Sequence, residues 1–274
     1  MLCSPPSWEE SVEYLREEGI LEYIEIGKKY TYNVFDYVSS DHTTPFFPDA
    51  YDLFRLHKLV RSRKVFNVLE FGLGYSTIII ADALKKNQDD FSEASDKPDI
   101  RISNPFAGYS VDSSEYWINE FKEKYNFLPF YNHINITYSK CEVGTFNGQI
   151  CHFYKSIPNV VTDFIYLDGP DPNDVAGVIN GITFKNCPER TVMSGDLLAL
   201  ESMFLPGTMI LIDGRTNNAR FLENNFKRKY GISYCEEQDV TTFELLEVPL
   251  GAINRNQINY CLGNAYYGRV KELC

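Results

Sequence analysis

The chain has 274 residues, 44% of them hydrophobic, enough to bury a full core and close to the upper size of one α/β domain. Its formal net charge of −12 would repel a phosphate backbone, and no block of Lys and Arg forms a basic stripe, so we expect no nucleic-acid partner. The seven cysteines are scattered and contain no C-x-x-C pair, which excludes a disulfide framework or a zinc site of that type.

The first residues have neither the basic nor the apolar segment of a signal peptide, and no apolar run reaches the ~20 residues that span a bilayer. We therefore expect a cytoplasmic protein without a membrane partner. The sequence predicts no oligomeric state.

Residues 1–48 are expected to form a helical appendage or lid. Ser7 and Glu10 have the spacing of a capping box, so a short helix should follow. Residues 41–48 (D-H-T-T-P-F-F-P) suit a mobile cover or a packed loop equally well. Asp49 can cap a second helix whose apolar side runs over residues 51–60.

From Val65 onward strands alternate with helices, the pattern of a parallel sheet covered on both faces. The predicted strands are 65–71, 109–112, 134–138, 164–167 and 209–212, the predicted helices are 76–84, 114–125, 191–203 and 217–230, and residues 87–107 are expected to loop out. Late strands at 241–248 and 257–261 could pair antiparallel. The sequence thus predicts a Rossmann-like, mostly parallel α/β domain over residues 49–250, with a C-terminal strand and tail over 251–274.

The segment V-L-E-F-G-L-G-Y-S-T, residues 68–77, has the features of a ligand cradle. The strand ends in the acid Glu70, and Gly72 and Gly74 let the backbone turn and approach a ligand. A dinucleotide site would need a third glycine where Thr77 stands, together with an acid about twenty residues later. A cofactor without phosphates therefore fits this loop better than NAD.

Acids also follow the later predicted strands. They are Asp112, Glu142, Asp168 and Asp213. Because ligands bind at the carboxyl ends of strands in open α/β sheets, these acids should gather at one edge. With this order of motifs, residues 49 to 248 resemble the class I S-adenosylmethionine-dependent methyltransferases.

The resemblance implies a role for each matching position. Glu70, Gly72 and Gly74 would hold the methionine part of S-adenosylmethionine, Asp112 would bind the ribose hydroxyls and Glu142 would lie near the adenine. Asp168 would face the methyl acceptor and is our first candidate for the catalytic base, and His42 in the 41–48 segment is the second.

A metal is the main open question of the site. Asp168, Asp213 and Asn217 could supply oxygen ligands to Mg²⁺, but Gly214 stands where metal-dependent O-methyltransferases carry the Asn of an Asp-Asn pair. We therefore favour a site without metal.

The resemblance favours methyl transfer to a hydroxyl of a small molecule or saccharide. Methylation of a small amine, and a cofactor-binding module without methyl transfer, stay open as alternatives. The acceptor itself cannot be identified, because residues 1–48 and 169–190 match no pattern.

Overall fold

The fold is taken from a computed structural model that describes residues 6–24, 26, 48–185 and 191–273. The helices are α1 (Trp8–Glu17), α2 (Ala50–Ser62), α3 (Tyr75–Glu93), α4 (Glu115–Tyr125), α5 (Asp196–Leu200), α6 (Thr216–Asn225), α7 (Gly251–Cys261) and α8 (Gly263–Leu273). The strands are β1 (Asn67–Phe71), β2 (Ala107–Asp112), β3 (Ile134–Tyr138), β4 (Cys141–Phe146), β5 (Gln149–Tyr154), β6 (Phe164–Leu167), β7 (Val175–Ala176), β8 (Met209–Asp213), β9 (Tyr230–Cys235) and β10 (Val240–Leu245). None of the described helices is both long and apolar enough to cross a membrane.

Seven strands form the main sheet in the order β3-β2-β1-β6-β8-β10-β9. The first five are parallel, and β10 lies antiparallel to both β8 and β9. This confirms the predicted Rossmann-like, mostly parallel sheet with an antiparallel late strand. The chain runs outward from β1 to β3 and returns to β6 on the other side of β1, which creates a switch point between β1 and β6.

Alternate residues of the central strands face two separate cores, as the two-residue period of a strand requires. Val68, Tyr166 and Leu211 pack with α2, α3 and α4, whereas Leu69 and Ile165 pack toward α5 and α6. Strand β6 is buried along its whole length. The carboxyl ends of β1 and β6 therefore lie on a rigid, doubly covered platform.

A second, three-stranded sheet in the order β5-β4-β7 covers the α5–α6 face. Strands β4 and β5 form a hairpin that turns at Asn147 and Gly148, both with positive φ, as a two-residue hairpin turn requires. The sequence analysis did not predict this hairpin, although its Asn-Gly pair is a typical hairpin signal.

The N-terminal helix α1 begins with the predicted capping box, in which Ser7 and Glu10 bond each other's backbone. It docks on α2, where the Tyr14 hydroxyl lies 2.8 Å from His57 Nδ1. His57 Nε2 lies 2.9 Å from Asp82 on α3. The predicted short helix is therefore present, and the assignment of residues 1–48 as an appendage or lid stays a prediction.

Three predicted elements are wrong in extent. Helix α3 runs to Glu93, so the expected loop over 87–107 begins later. The predicted helix 191–203 shortens to α5 and a 3-10 turn, because Ser194 forms a β-bridge with His152. The predicted helix 217–230 ends at Asn225, and Tyr230 opens β9.

The predicted strand at 257–261 is part of helix α7, and residues 251–273 form two helices instead of a strand and tail. The buried residues of α7 are Asn254, Gln257 and Ile258. They are three and four positions apart, the spacing of one face of a helix. Strand β10 instead pairs antiparallel with β8 and β9.

Candidate functional site

The glycine loop joins the end of β1 to the start of α3. Gly72 has φ +110°, a conformation that side chains rarely adopt, and its N–H donates to the Val111 carbonyl at 2.9 Å. Gly74 has extended backbone, and a Cβ added there would meet no atom within 4 Å. The loop is thus tightly held at Gly72 and open at Gly74, where a ligand can approach the backbone.

Glu70 lies beneath this loop and is 1% exposed. Its carboxylate accepts hydrogen bonds from Ser76 Oγ at 2.5 Å, Thr77 Oγ1 at 2.7 Å and Ser110 Oγ at 2.5 Å. Burial raises the pKa of Glu70 to about 7, and the three hydroxyl donors oppose that rise. Glu70 therefore fixes the loop to β2 and α3, and its direct contact with a cofactor stays a prediction.

Asp112 ends β2 one residue beyond the Phe71–Val111 pair, so it lies beside the glycine loop. Its side chain is half-buried and accepts the Ser114 N–H at 2.7 Å. Burial raises the pKa of Asp112 to about 6, and the backbone donors near it lower the pKa in turn. Asp112 thus lies beside the glycine loop, and its contact with a ribose diol stays a prediction.

Glu142 lies within β4 of the second sheet, where its Oε2 is 2.5 Å from Lys155 Nζ. Both side chains are exposed, so this ion pair contributes little to stability. A contact of Glu142 with adenine would have to compete with Lys155, and the assignment stays a prediction.

Asp168 follows β6 and is held through its backbone. Its N–H and that of Gly169 both donate to the Phe71 carbonyl, at 3.1 and 2.6 Å, and the Arg215 guanidinium donates to its carbonyl. The Asp168 side chain is 55% exposed, and Arg215 Nε lies 3.6 Å from its Oδ1. The protein around the carboxylate partly desolvates it and raises the pKa of Asp168 to about 6, and the charge of Arg215 opposes that rise.

Asp213, the acid that ends β8, is already paired with a buried cation. Arg55 on α2 places its Nη2 2.7 Å from Asp213 Oδ2 and 2.8 Å from Asp52 Oδ1, and the Tyr166 hydroxyl donates to Asp213 at 3.2 Å. Hence the glycine loop, Asp112, Asp168 and Asp213 share the carboxyl edge of the sheet. His42, the second candidate base, lies outside the described residues.

The proposed Mg²⁺ ligands do not fit a metal in this arrangement. A guanidinium group occupies Asp213 and another lies beside Asp168, and Mg²⁺ needs oxygen ligands in near-octahedral geometry without a competing cation. Asn217 follows on α6, and within the described ranges its side chain makes no hydrogen bond to either acid.

One group of side chains in the described ranges does have metal-ligand spacing, namely Glu18, His57 and Asp82. Lys86 Nζ lies 2.7 Å from Glu18 and 2.8 Å from Asp82, so an ammonium group already neutralises these acids. The group joins α1 to α2 and α3 and is structural.

Arg55, Arg215 and Ser110 are the site residues that the sequence analysis missed. Arg55 did leave a signal, because it stands in the apolar stripe of α2 between Tyr51 and Leu59. A charge at such a position needs a carboxylate partner from elsewhere in the fold.

No family model matches the chain, and no curated protein matches it. Among solved structures it is similar to the SAH-bound methyltransferase PaMTH1 of Podospora anserina, with 10% identity over 90% of this chain and 100% of that one, at a TM-score of 0.46. It is also similar to the O-methyltransferase TomG of Streptomyces achromogenes in complex with SAM, with 13% identity over 87% and 96% of the two chains, at a TM-score of 0.43. An O-methyltransferase from Bacillus cereus in complex with SAH gives 12% identity over 87% and 92%, at a TM-score of 0.40.

These similarities are too weak to decide a superfamily or a subfamily. At this distance they carry no argument about activity. The fold itself rests on the strand order of the main sheet.

Proposed function

We propose that this protein transfers the methyl group of S-adenosylmethionine to a hydroxyl of a small molecule or saccharide. The observation that carries the proposal is the open glycine loop at Gly74, next to Asp112, at the switch point of the sheet. The space over Gly74 is where a Cβ would meet nothing, so a ligand can lie against the backbone there.

Different residues of the chain bind different parts of the cofactor. The loop at Gly72 to Gly74 receives the methionine part of the cofactor, and Glu70 holds that loop from below. Asp112 accepts hydrogen bonds from the ribose hydroxyls, and a charged acceptor makes the stronger kind of hydrogen bond. When bound, S-adenosylmethionine supplies a methyl group on a sulfonium sulfur.

Asp168 is the group that acts on the acceptor. Its carboxylate is exposed while its backbone is fixed to Phe71, so it can hold the acceptor hydroxyl and accept its proton as the oxygen attacks the methyl carbon. Arg215 braces the same loop by donating to the carbonyls of Asp168 and Pro170.

Methylation of a small amine is the second candidate. It is favoured by the acidic edge of the site, where Asp49, Asp52 and Asp168 are at least partly exposed while the Arg55 side chain is fully buried. Such an edge attracts a cationic acceptor.

The test measures turnover directly. Purified protein is incubated with S-adenosylmethionine and panels of saccharides, phenols and small amines, and S-adenosylhomocysteine is quantified by mass spectrometry. We expect turnover with a hydroxyl compound. Turnover with amines alone would replace the first proposal by the second, and retention of the cofactor with no turnover on any panel would favour a binding module.

A further inference from the structure

The acceptor end of the site contains a salt-bridge cluster that none of the roles above explains. One guanidinium nitrogen, Arg55 Nη2, bridges two carboxylates, at 2.8 Å from Asp52 and 2.7 Å from Asp213. Burial, and next the charge of Asp213, raise the pKa of Asp52, and Asp168 adds to the same rise. Two carboxylates, one from α2 and one from β8, are therefore held on a single guanidinium nitrogen.

The cation in this cluster is a buried side chain of the protein itself. The Arg55 side chain is 0% exposed, and its guanidinium carbon lies 5.1 Å from the centre of the Tyr51 ring. Its Nε and Nη1 are buried with no hydrogen-bond acceptor in the part of the chain that the structure describes. Among those residues, Asp52 and Asp213 are thus the acids that balance its charge, and a guanidinium does not lose its proton in proteins.

We infer that Arg55 is the resident cation of the acceptor site, holding Asp52 and Asp213 together in the place where a divalent metal would otherwise bind. This inference rests on the proposed function, because it assigns Asp213 and Asp168 to the acceptor end of a methyltransferase site. It makes Arg55 a positioning residue, and it makes methyl transfer independent of metal.

Two physical consequences follow. A metal ion entering the cluster would lie within a few ångströms of a buried guanidinium, where like charges repel strongly in a medium of low dielectric. Removing the guanidinium would leave Asp52 and Asp213 without the cation that they share, and two facing carboxylates supply the oxygen ligands that a hard divalent cation takes.

The test uses Mn²⁺ as the probe, since free Mn²⁺ is counted directly by electron paramagnetic resonance. Full-length wild type, Arg55→Ala and Arg55→Met are titrated, the second variant filling more of the volume beside Tyr51. Arg61→Ala is the matched control, because Arg61 lies on the same helix and pairs with Asp90 away from the site.

We expect wild type and Arg61→Ala to bind Mn²⁺ no tighter than about 1 mM, and an Arg55 variant to bind it at least about tenfold tighter. That gained binding should disappear when Asp213→Asn is added. Mn²⁺ should also raise the Tm of the Arg55 variants and not that of wild type.

Micromolar Mn²⁺ binding by wild type that is lost in Asp168→Asn or Asp213→Asn would overturn the inference, even if neither Arg55 variant folds. Folded Arg55 variants that bind Mn²⁺ no better than wild type would overturn it as well. Binding of S-adenosylhomocysteine is measured on the same samples by calorimetry. Its absence in wild type would refute the proposed function and leave the Mn²⁺ comparison intact.

Discussion

Glu70 and Asp112 are both carboxylates at the ends of strands beside the glycine loop, but their surroundings differ. Three side-chain hydroxyls from the protein saturate Glu70, which is fully buried. Asp112 is only half-buried, and its donors are backbone N–H groups, of which that of Ser114 lies at 2.7 Å, so the solvent-facing part of the carboxylate can still accept from a ligand. We therefore propose that Asp112 binds the ligand and that Glu70 holds the loop.

Replacing Asp112 by Ala should weaken binding of S-adenosylhomocysteine by about 1.5–3 kcal/mol, the usual contribution of hydrogen bonds to a charged group. The unliganded protein should lose only about 1 kcal/mol, from the hydrogen bond to Ser114. Calorimetry and thermal unfolding measure the two effects. Asp112→Asn is the control, since it keeps an acceptor for Ser114, and unchanged affinity in Asp112→Ala would show that this carboxylate does not meet the ligand.

Asp168→Asn should lower turnover by about 10²–10⁴, the usual contribution of a positioned base, because the amide cannot accept the acceptor's proton. Its backbone contacts to Phe71 remain, so the affinity for S-adenosylhomocysteine should change by no more than a few fold.

The pH profile of the wild-type rate is a second readout of the same residue. Since the pKa of Asp168 is raised to about 6, the base is ionised above that pH and the rate should fall as the pH drops through about 6. A flat profile from pH 5 to 8, or normal turnover in Asp168→Asn, would remove Asp168 from the mechanism.

For single residues, the sequence predicted the placement of those that stand at the ends of strands. Gly74, Asp112 and Asp168 do share one edge, since parallel strands bring their carboxyl ends together. Arg55 and Arg215 were missed because their side chains reach the site from other elements. No pattern of neighbouring residues in the sequence indicates such a contact.

At the scale of elements, the loops after β1 and β6 pack backbone against backbone. A Cβ added at Gly169 would lie 2.7 Å from the Gly72 nitrogen and 2.9 Å from the Phe71 carbonyl carbon. Backbone atoms at the ends of two central strands cannot move aside as a flexible side chain would. The two loops that shape the site are therefore mechanically coupled.

Gly169→Ala should destabilise the protein by about 1–3 kcal/mol, the usual cost of overpacking, and weaken cofactor binding at the same time. Gly74→Ala is the matched control, since its Cβ would meet nothing and its backbone is extended. Urea unfolding measures the stability of both variants, and calorimetry with S-adenosylhomocysteine measures their cofactor binding. Equal stability of the two variants would mean that the loops are not in contact.

Elements were predicted best where burial dictates the pattern. Strand 164–167 has the predicted bounds because it is a short, fully buried apolar run between polar residues. Strand 134–138 has them because Ile134 and Ile136 alternate with polar residues at the edge of the sheet. The prediction of a helix up to Tyr230 was wrong because Phe226 and Tyr230 have helical spacing without being in a helix. Their rings stack with centroids 4.5 Å apart across the turn that leads into β9.

For the whole molecule, the raised pKa values of buried acids set the direction of the pH dependence. The pKa is raised by burial to about 7 for both Glu70 and Asp196. Between pH 4 and 7 the folded protein thus binds more protons than the unfolded chain, so stability falls as the pH rises through this window.

We expect the Tm at pH 5.5 to exceed that at pH 8 by several degrees, since one unit of pKa shift corresponds to about 1.4 kcal/mol. Glu70→Gln should reduce this difference, because it removes one of the titrating groups. A Tm that rises from pH 5.5 to pH 8 would contradict the burial of these acids in the folded state.

The central claim is that the open glycine loop binds the nucleoside cofactor of a methyltransferase. Calorimetry of the wild-type protein with S-adenosylhomocysteine and with NAD tests it most directly, with Gly74→Val as the site variant and Gly268→Val on α8 as the control. The account predicts micromolar binding of S-adenosylhomocysteine by wild type and by Gly268→Val, none by folded Gly74→Val, and none of NAD by any of them. Micromolar binding of NAD without binding of S-adenosylhomocysteine would contradict it.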